Sequence, residues 1–390
     1  MKFLIIGNVG FDVMAPYLDS RGIESILVMT TLNPLNAEYA GAAYHFLSPT
    51  DPDPLIHLAL EHRVDAVISI SGPDIVNVRD SLIRESLERL GITVVANPPQ
   101  AARIAADKWE TKKFLKAHGL PAIEGEVAAN RREALSIGRR IGFPLAAKAV
   151  SESGGLGFRV LQDSADLSGL PREAFPVLLE EYTPGWEFSV EVLHWKGQAL
   201  PLLPVYKGHT SLSGLHPMER VKIAPAPIPP DRLAMLRCLA VRTVRELGAE
   251  PTADVDIVWS AEGPKVLEIN PRFGGVTALS MAASGVTCYH ALVDMALGSW
   301  SPHAYPFDIH YALDLPVADE LEDGTLARLL GAPGVFRIKK QKLTQTTGRI
   351  AVKARSSQEA LTIARKVAKN CDLAQDFSEI ERSITELIPV

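Results

Sequence analysis

The chain has 390 residues, 47% hydrophobic and 22% charged, with mean hydropathy +0.08; this is the composition of an ordinary folded protein, too long for one core, and predicts two or three domains. Lys and Arg number 40 against 46 Asp and Glu, a formal charge of −6 that excludes a global pull toward nucleic acid or anionic lipid, so any phosphate site must be local. Cys238, Cys288 and Cys371 lack CxxC spacing, which argues against a zinc site or disulfide framework, and no apolar run approaches signal-peptide or membrane-spanning length, so a cytoplasmic protein is expected.

Residues 1–100 alternate strand and helix. "KFLII", "SILVM", "VDAVISIS" and "ITVVA" read as buried strands; "DVMAPYLDSRG", "DPLIHLALEHR" and "RDSLIRESLERLG" read as the helices between them. That alternation predicts a parallel, doubly wound layer. The turn "IGNVGFD" carries Gly7 and Gly10, but a dinucleotide fingerprint needs a third glycine and an acid closing the second strand. That strand ends "VMTTLN", which favours a tight strand-to-helix turn over a nicotinamide site.

From Asn97, "NPPQAARIAADKWETKKFLKAHGLP" predicts two short helices broken at Ala106-Asp107, with Asp107 capping the second and Glu110 completing a reciprocal capping box. Lys108 then occupies the first helical position, against the helix dipole, where a nearby anion would account for it. Further on come "AIEGEVA", a helix "RREALSIGRRIG", the strand "FPLAAKAV", a glycine loop and the strand "FRVL". "FPVLLEEYTPGWEFSVEVLHWKGQALPLLPVY" predicts one antiparallel set with tight turns at Pro184-Gly185 and Lys196-Gly197. A polar loop "KGHTSLSGLHPMER" precedes "VKIAPAPIPP" and the helix "RLAMLRCLAVRTVRELG". A strand pair follows, "ADVDIVW" and "KVLEINP". The tail reads as a short helix near Tyr289 to Gly298, strands "GVFRIKK" and "GRIAVKAR", and a helix opened by a capping box from Ser356 to Glu359.

Three stretches carry chemistry. In "SESGGLGF", Gly154, Gly155 and Gly157 suit either a mobile hairpin or a backbone cradle for phosphate, and the loop lacks the Gly-Lys-Ser/Thr ending of a P-loop. Lys148, alone in the apolar strand before it, needs an anion, internal or bound. In "DIVWSAEGPKVLEINPRFGG", a hairpin turning about Glu262 sets Asp256 opposite Glu268, with Asn270 on the same face. Opposed carboxylates repel unless a cation lies between them, and two carboxylates with an amide suit magnesium. Asp254 shares the strand face and rivals Asp256. Arg272, at the strand end, fits either a surface salt bridge or a bidentate phosphate or carboxylate contact. In "VLLEEYTPGWEFSVEV", Glu180, Glu181 and Glu187 suit a solvated edge or a hinge that reads adenine and ribose.

Taken in order over about two hundred residues, these stretches resemble the ATP-grasp superfamily, in its branch of carbamoyl-phosphate synthase large subunit, biotin carboxylase and D-alanine-D-alanine ligase. "DKWETKKFLKAHGLP" and "FPLAAKAV" look like its two lysine segments, "SESGGLGF" like its lid, "LLEEYTPGWEFSVEV" like its hinge and "VDIVWSAEGPKVLEINPRFGG" like its metal strand. The resemblance implies an α/β (α+β ATP-grasp) fold: an N-terminal pre-grasp domain at 1–100, an ATP-grasp domain at 101–300 with a lid at about 115–183, and a small C-terminal α+β element at 301–390. It implies ATP with Mg2+ (or Mn2+) and a homodimer acting on a small carboxylate and an amine, amino acids or derivatives, without nucleic-acid or membrane partners. Carried across, Lys108 and Lys148 would bind the α and β phosphates, and the loop of Gly154, Gly155 and Gly157 would cover the β and γ phosphates. Glu180 with the backbone of Glu181 and Tyr182 would face adenine, and Glu187 the ribose. Asp256, Glu268 and Asn270 would hold metal, preferred over Asp254; Arg272 would steady the γ and acyl phosphates; Arg220 and Lys222 would add a phosphate contact. The implied activity is a carboxylate-amine ligase, with a bicarbonate-activating enzyme and a non-catalytic nucleotide sensor as alternatives.

Overall fold

The computed structural model describes residues 1–29, 43–45, 48–150, 158–210, 219–318, 320–343, 346–386, 388 and 390. The N-terminal layer is a five-stranded parallel sheet in the order Ala43–His45, Glu24–Met29, Lys2–Ile6, Ala66–Ser69, Thr93–Val95. Four of these strands are the apolar runs expected from the sequence; Ala43–His45, only three residues long, has no such run and was not expected. The direction of winding reverses between Lys2–Ile6 and Ala66–Ser69, so the turns leaving those strands open the crevice where such sheets bind ligands. The glycines of the first turn serve packing. Gly7 has φ +89° and a Cβ there would lie 2.8 Å from the Ile70 backbone; at Gly10, φ +76°, it would enter the Tyr289 ring. The helix expected from Arg79 begins five residues earlier, at Asp74, because extended Pro73 stops the chain and leaves Asp74 to open the first turn.

A four-stranded antiparallel sheet follows, ordered Gly125–Ala128, Val177–Glu181, Leu145–Ala149, Arg159–Leu161. The remaining strands form a nine-stranded sheet along the order Gly263–Asn270, Thr252–Ser260, Gly185–Trp195, Val205–Thr210, Lys222–Ala224, Tyr311–Val317, Thr346–Ala354, Val335–Leu343, with Gln198–Pro201 beside Gly185–Trp195. Two expectations are corrected here. Pro184-Gly185 is not a hairpin turn, since Val177–Glu181 and Gly185–Trp195 lie in different sheets. Glu180 is tied to lysines of the small sheet and its adjoining helix, while a Cβ at Gly185 would sit 2.4 Å from the Trp259 carbonyl oxygen; the dipeptide is where the chain changes sheets. "KGHT" is not loop but the end of strand Val205–Thr210, paired with Gly185–Ser189. Lys196-Gly197 is the tight turn expected, both residues at positive φ with Trp195 opposite Gln198.

Helices Thr277–Ser284, Asp323–Leu330 and Phe377–Thr385 and strand Tyr311–Val317 were not anticipated. That strand carries the hairpin of 335–354 onto the same sheet as residues 185–270. A continuous apolar cluster including Phe3, Met14, Leu193, Leu202, Phe273, Tyr289 and Leu292 joins the N-terminal layer to the large sheet and, through Phe273, to the turn after Gly263–Asn270. Among the described residues no helix is long and apolar enough to cross a membrane.

Candidate active site

The hairpin of Thr252–Ser260 and Gly263–Asn270 turns at Ala261-Glu262, with Ser260 opposite Gly263 and Ile257 opposite Val266. That register alone would set Asp256 against Leu267. A one-residue bulge between Asp256 and Ile257 shifts it, so Asp256 faces Glu268 and Asp254 faces Asn270. All four polar side chains therefore share one face. Their neighbours separate them. Asp254 is 3% exposed, accepts a hydrogen bond from Ser189 Oγ and packs under the Gly274 backbone. Asp256 and Glu268 keep 14% and 35% of their side-chain surface exposed, which makes Asp256 more accessible than Asp254. Among the described residues no three His, Cys, Asp or Glu converge, so a third protein ligand would have to be an amide such as Asn270. The donor set of two opposed carboxylates and one amide fits a hard divalent cation, with Asp256 Oδ1 ion-paired to Lys207 Nζ at 2.7 Å.

Lys148 has its internal anion. Glu180, 2% exposed, lies 2.6 Å from both Lys148 Nζ and Lys112 Nζ. Burial would raise the Glu180 pKa, but the two ammonium groups outweigh it and hold the carboxylate charged. Burial lowers the pKa of Lys112. It acts on Lys148 too, yet Glu180, Glu268 and Glu187 together raise that lysine's pKa. The difference places Lys148 nearer the cleft acids. The residues expected to face adenine make these contacts. The Glu180 carboxylate is committed to lysines, the Glu181 N–H donates to Glu124 O at 2.9 Å, and the Tyr182 N–H donates to Pro144 O at 3.2 Å. Glu187 accepts hydrogen bonds from Thr210 Oγ1 and, at 3.1 Å, from Arg220 Nη1.

Lys108 opens the helix Lys108–Ala117 as expected, with Asp107 accepting from the Trp109 and Glu110 N–H groups. The reciprocal half of the box is absent, because Glu110 pairs with Lys113 at 2.5 Å instead. The Lys108 N–H donates to Val150 O, seating this helix start at the foot of the glycine loop, and its Nζ lies 3.7 Å from Glu268 Oε1. Gly154, Gly155 and Gly157 fall outside the described residues. Arg272 makes the two-pronged carboxylate contact foreseen for it, but with Asp74, the first residue of helix Asp74–Glu88: Nε lies 2.6 Å from Oδ1 and Nη2 lies 3.4 Å from Oδ2. Lys222 is 3% exposed and stands opposite Asp314 in the sheet. Thus Lys108, Lys148, Glu180 and Glu268 converge from four elements, whereas the strand of Lys222 is separated from that of Asp256 by two others.

Sequence reasoning missed Lys112, Lys207, Asp74, Glu191, Asp314 and Arg349. Lys112 had a signal, since it falls on the buried stripe with Thr111, Phe114 and Leu115. Lys207 was hidden by reading its strand as loop. Burial holds back the charge of Lys207, but Asp256 and Asp254 more than offset this and raise its pKa. Glu191, opposite Asp254, accepts from Thr252 Oγ1 and Thr277 Oγ1 at 2.6 Å each; burial and then repulsion by Asp254 push its pKa upward, and burial and then repulsion by Asp256 push that of Asp254 upward. This cluster supports the turn at Gly274, where a Cβ would fall 2.0 Å from Asp254 Oδ2. Gly274→Ala should therefore lower stability by about 1–3 kcal/mol, read as a shift of the urea midpoint; an unchanged midpoint would show that Asp254 moves aside freely.

Residues 107–302, half of the chain, match the family described as carbamoyl-phosphate synthase L chain, ATP-binding domain. The chain belongs to this family. It is 29% identical over 322 residues to a carbamoyl-phosphate synthase of Methanobrevibacter smithii, covering 81% of this chain and 87% of that one. The arginine-specific large chain of carbamoyl phosphate synthase from Bacillus subtilis is 24% identical over 73% of this chain, which spans 29% of that longer protein. Among solved structures, the biotin carboxylase domain of Hydrogenobacter thermophilus 2-oxoglutarate carboxylase aligns with TM-score 0.74 at 20% identity, over 95% of this chain and 90% of that one. An L-amino acid ligase from Bacillus licheniformis aligns with TM-score 0.75 at 16% identity, over 95% and 97%. The ATP-grasp family and fold expected from the sequence are both present.

Proposed function

We propose that this ATP-grasp ligase activates a carboxylate as an acyl phosphate at the expense of ATP and passes the acyl group to an amine, releasing ADP and phosphate. The observation that carries the reading is the bulged register that sets Asp256 opposite Glu268 while Lys108 lies near Glu268 and the charge of Glu268 acts on Lys148. In this reading 1–100 is the pre-grasp domain, 101–300 the ATP-grasp domain and 301–390 the C-terminal element, assembled as a homodimer.

Lys108 and Lys148 neutralise the α and β phosphates, the loop of Gly154, Gly155 and Gly157 covers the terminal phosphates, and Glu187 accepts from the ribose hydroxyls. Mg2+ or Mn2+ held by Asp256, Glu268 and Asn270 would supply charge neutralisation at the phosphoryl oxygens. Asp74 holds Arg272 beside Asn270, where its guanidinium is aimed to stabilise charge on the transferring phosphoryl group and on the oxyanion formed when the amine attacks. The helix start at Lys108 and the crevice above the parallel sheet exclude water from the acyl phosphate once the site closes.

Bicarbonate as the activated acid is the second reading, favoured by the carbamoyl-phosphate synthase similarity over 81% of the chain. ADP release, measured with bicarbonate alone and with a panel of carboxylates and amines, amino acids included, tests both. Turnover that requires both a carboxylate and an amine supports the ligase; turnover with bicarbonate alone supports the second reading. Tight ADP binding without turnover on any pair would leave a nucleotide sensor.

A further inference from the structure

Four neighbouring strands of the large sheet carry a row of charged side chains on the face that bears Asp256. Lys222 stands opposite Asp314, Asp314 lies two residues along its strand from the partner of Arg349, and Lys339 stands opposite Arg349. Lys207, Arg220 and Arg349 each have a carboxylate within 3.1 Å: Asp256, Glu187 and Asp314 in turn. Arg349 also donates to the Arg220 and Asp314 carbonyl oxygens at 2.8 and 2.9 Å. Lys222 differs. It is 3% exposed, and among the described residues its ammonium has neither an ion pair nor a hydrogen bond. Its Nζ lies 3.5 Å from where a Gly275 Cβ would be, against the turn that follows Arg272. Burial, and then Arg349, push its pKa down to about 7, with Asp314 and Asp256 acting the other way. A buried ammonium without a direct ion pair is costly, and an arriving anion would relieve that cost.

The row is cationic overall. Lys222, Lys339, Arg337 and Arg349 face two carboxylates, Asp314 and the Asp12 that accepts from Arg337. The strand of Lys222 is separated from that of Asp256 by two others, and its ammonium makes no ion pair with Asp256, though it feels that carboxylate's charge; an anion seated on Lys222 would therefore lie beside, not between, Asp256 and Glu268. Asp314, Arg337, Lys339 and Arg349 lie beyond residue 302, outside the stretch matched to the family.

We propose that Lys222 holds a second anionic group of the substrate, a carboxylate or phosphate remote from the reacting carboxylate, with Lys339, three strands away, adding only positive potential at the outer end of the row. This rests on the ligase reading, and makes the preferred substrate a dianionic acid or a phosphorylated one. The test is calorimetric titration of the full chain with acetate, succinate and inorganic phosphate, each with and without MgADP. Succinate or phosphate is expected to bind at least tenfold tighter than acetate, and whichever of the two binds tighter identifies the anion. Lys222→Met should lose at least tenfold of that affinity, and Lys339→Gln, at an exposed position, two- to fivefold. Equal binding of acetate and the dianions would overturn the proposal, as would wild-type dianion affinity in both variants. An equal loss of MgADP affinity in Lys222→Met would also overturn it, returning Lys222 to the nucleotide phosphates. Absence of MgADP binding in the unmodified chain would sink the ligase reading, while the titrations without nucleotide still decide the anion site.

Discussion

Glu180→Gln lowers the unfolding free energy by about 3–5 kcal/mol, the cost of removing one member of a buried ionic cluster. The size follows from what is left behind. Two ammonium groups, of Lys112 and Lys148, each 2.6 Å from the carboxylate, lose their common counter-charge in a place where Glu180 is only 2% exposed. Lys112 keeps one neutral contact, donating to the Ile123 carbonyl oxygen at 2.9 Å, and Lys148 keeps only the more distant Glu268 and Glu187. The strand Val177–Glu181 lies between Gly125–Ala128 and Leu145–Ala149, so the damage falls on the middle of the small sheet. Urea unfolding followed by circular dichroism measures it, with the midpoint falling at constant slope. Adding Lys112→Met to Glu180→Gln should recover part of the loss by removing one orphaned charge. A drop under about 1 kcal/mol in the single variant would mean that other groups compensate both lysines, and that the cluster is not the anchor of the small sheet.

How far the sequence carried follows from which constraints are local. The parallel layer was legible because each of its longer strands is an apolar run between helical periods, and Asp107 was legible as a cap because capping is a contact over two or three residues. The facing of Asp256 and Glu268 was reached through a turn centred on Glu262; the true turn is one position tighter, and the bulge beside Asp256 makes up the difference. Nothing in "VLEI" announces that Leu267 is the extra, unpaired residue. Partners distant in sequence were not legible at all: Asp74 is 198 positions from Arg272, and Lys207 meets Asp256 only because its strand continues past the glycine where a loop was expected. Lysine 148 illustrates the boundary. Its need for an anion follows from an apolar strand, but the identity of that anion depends on which sheet Val177–Glu181 joins.

Glu268→Ala abolishes ATP turnover, by at least about 10³-fold, while leaving the fold and its stability nearly unchanged. Stabilisation of phosphoryl charge by a held cation amounts to several kcal/mol, and each 1.36 kcal/mol of barrier is a factor of ten in rate. Glu268 is suited to a clean test because its side chain is 35% exposed and its nearest charged contact is the Lys108 ammonium at 3.7 Å. Removing it orphans no buried group. Lys148→Ala should also stop turnover, but it strips Glu180 of one of its two lysines and so mixes a folding defect into the loss. The readouts separate the two cases. For Glu268→Ala, kcat for ADP release falls while the urea midpoint stays within about 0.5 kcal/mol of the unmodified chain, the range expected of exposed positions. Raising Mg2+ restores little activity, because Asp256 is then left facing Lys207 without its cross-strand partner. Near-normal turnover in Glu268→Ala, with Lys148→Ala also active, would remove the metal strand and the phosphate lysines from the reaction and with them the ligase assignment.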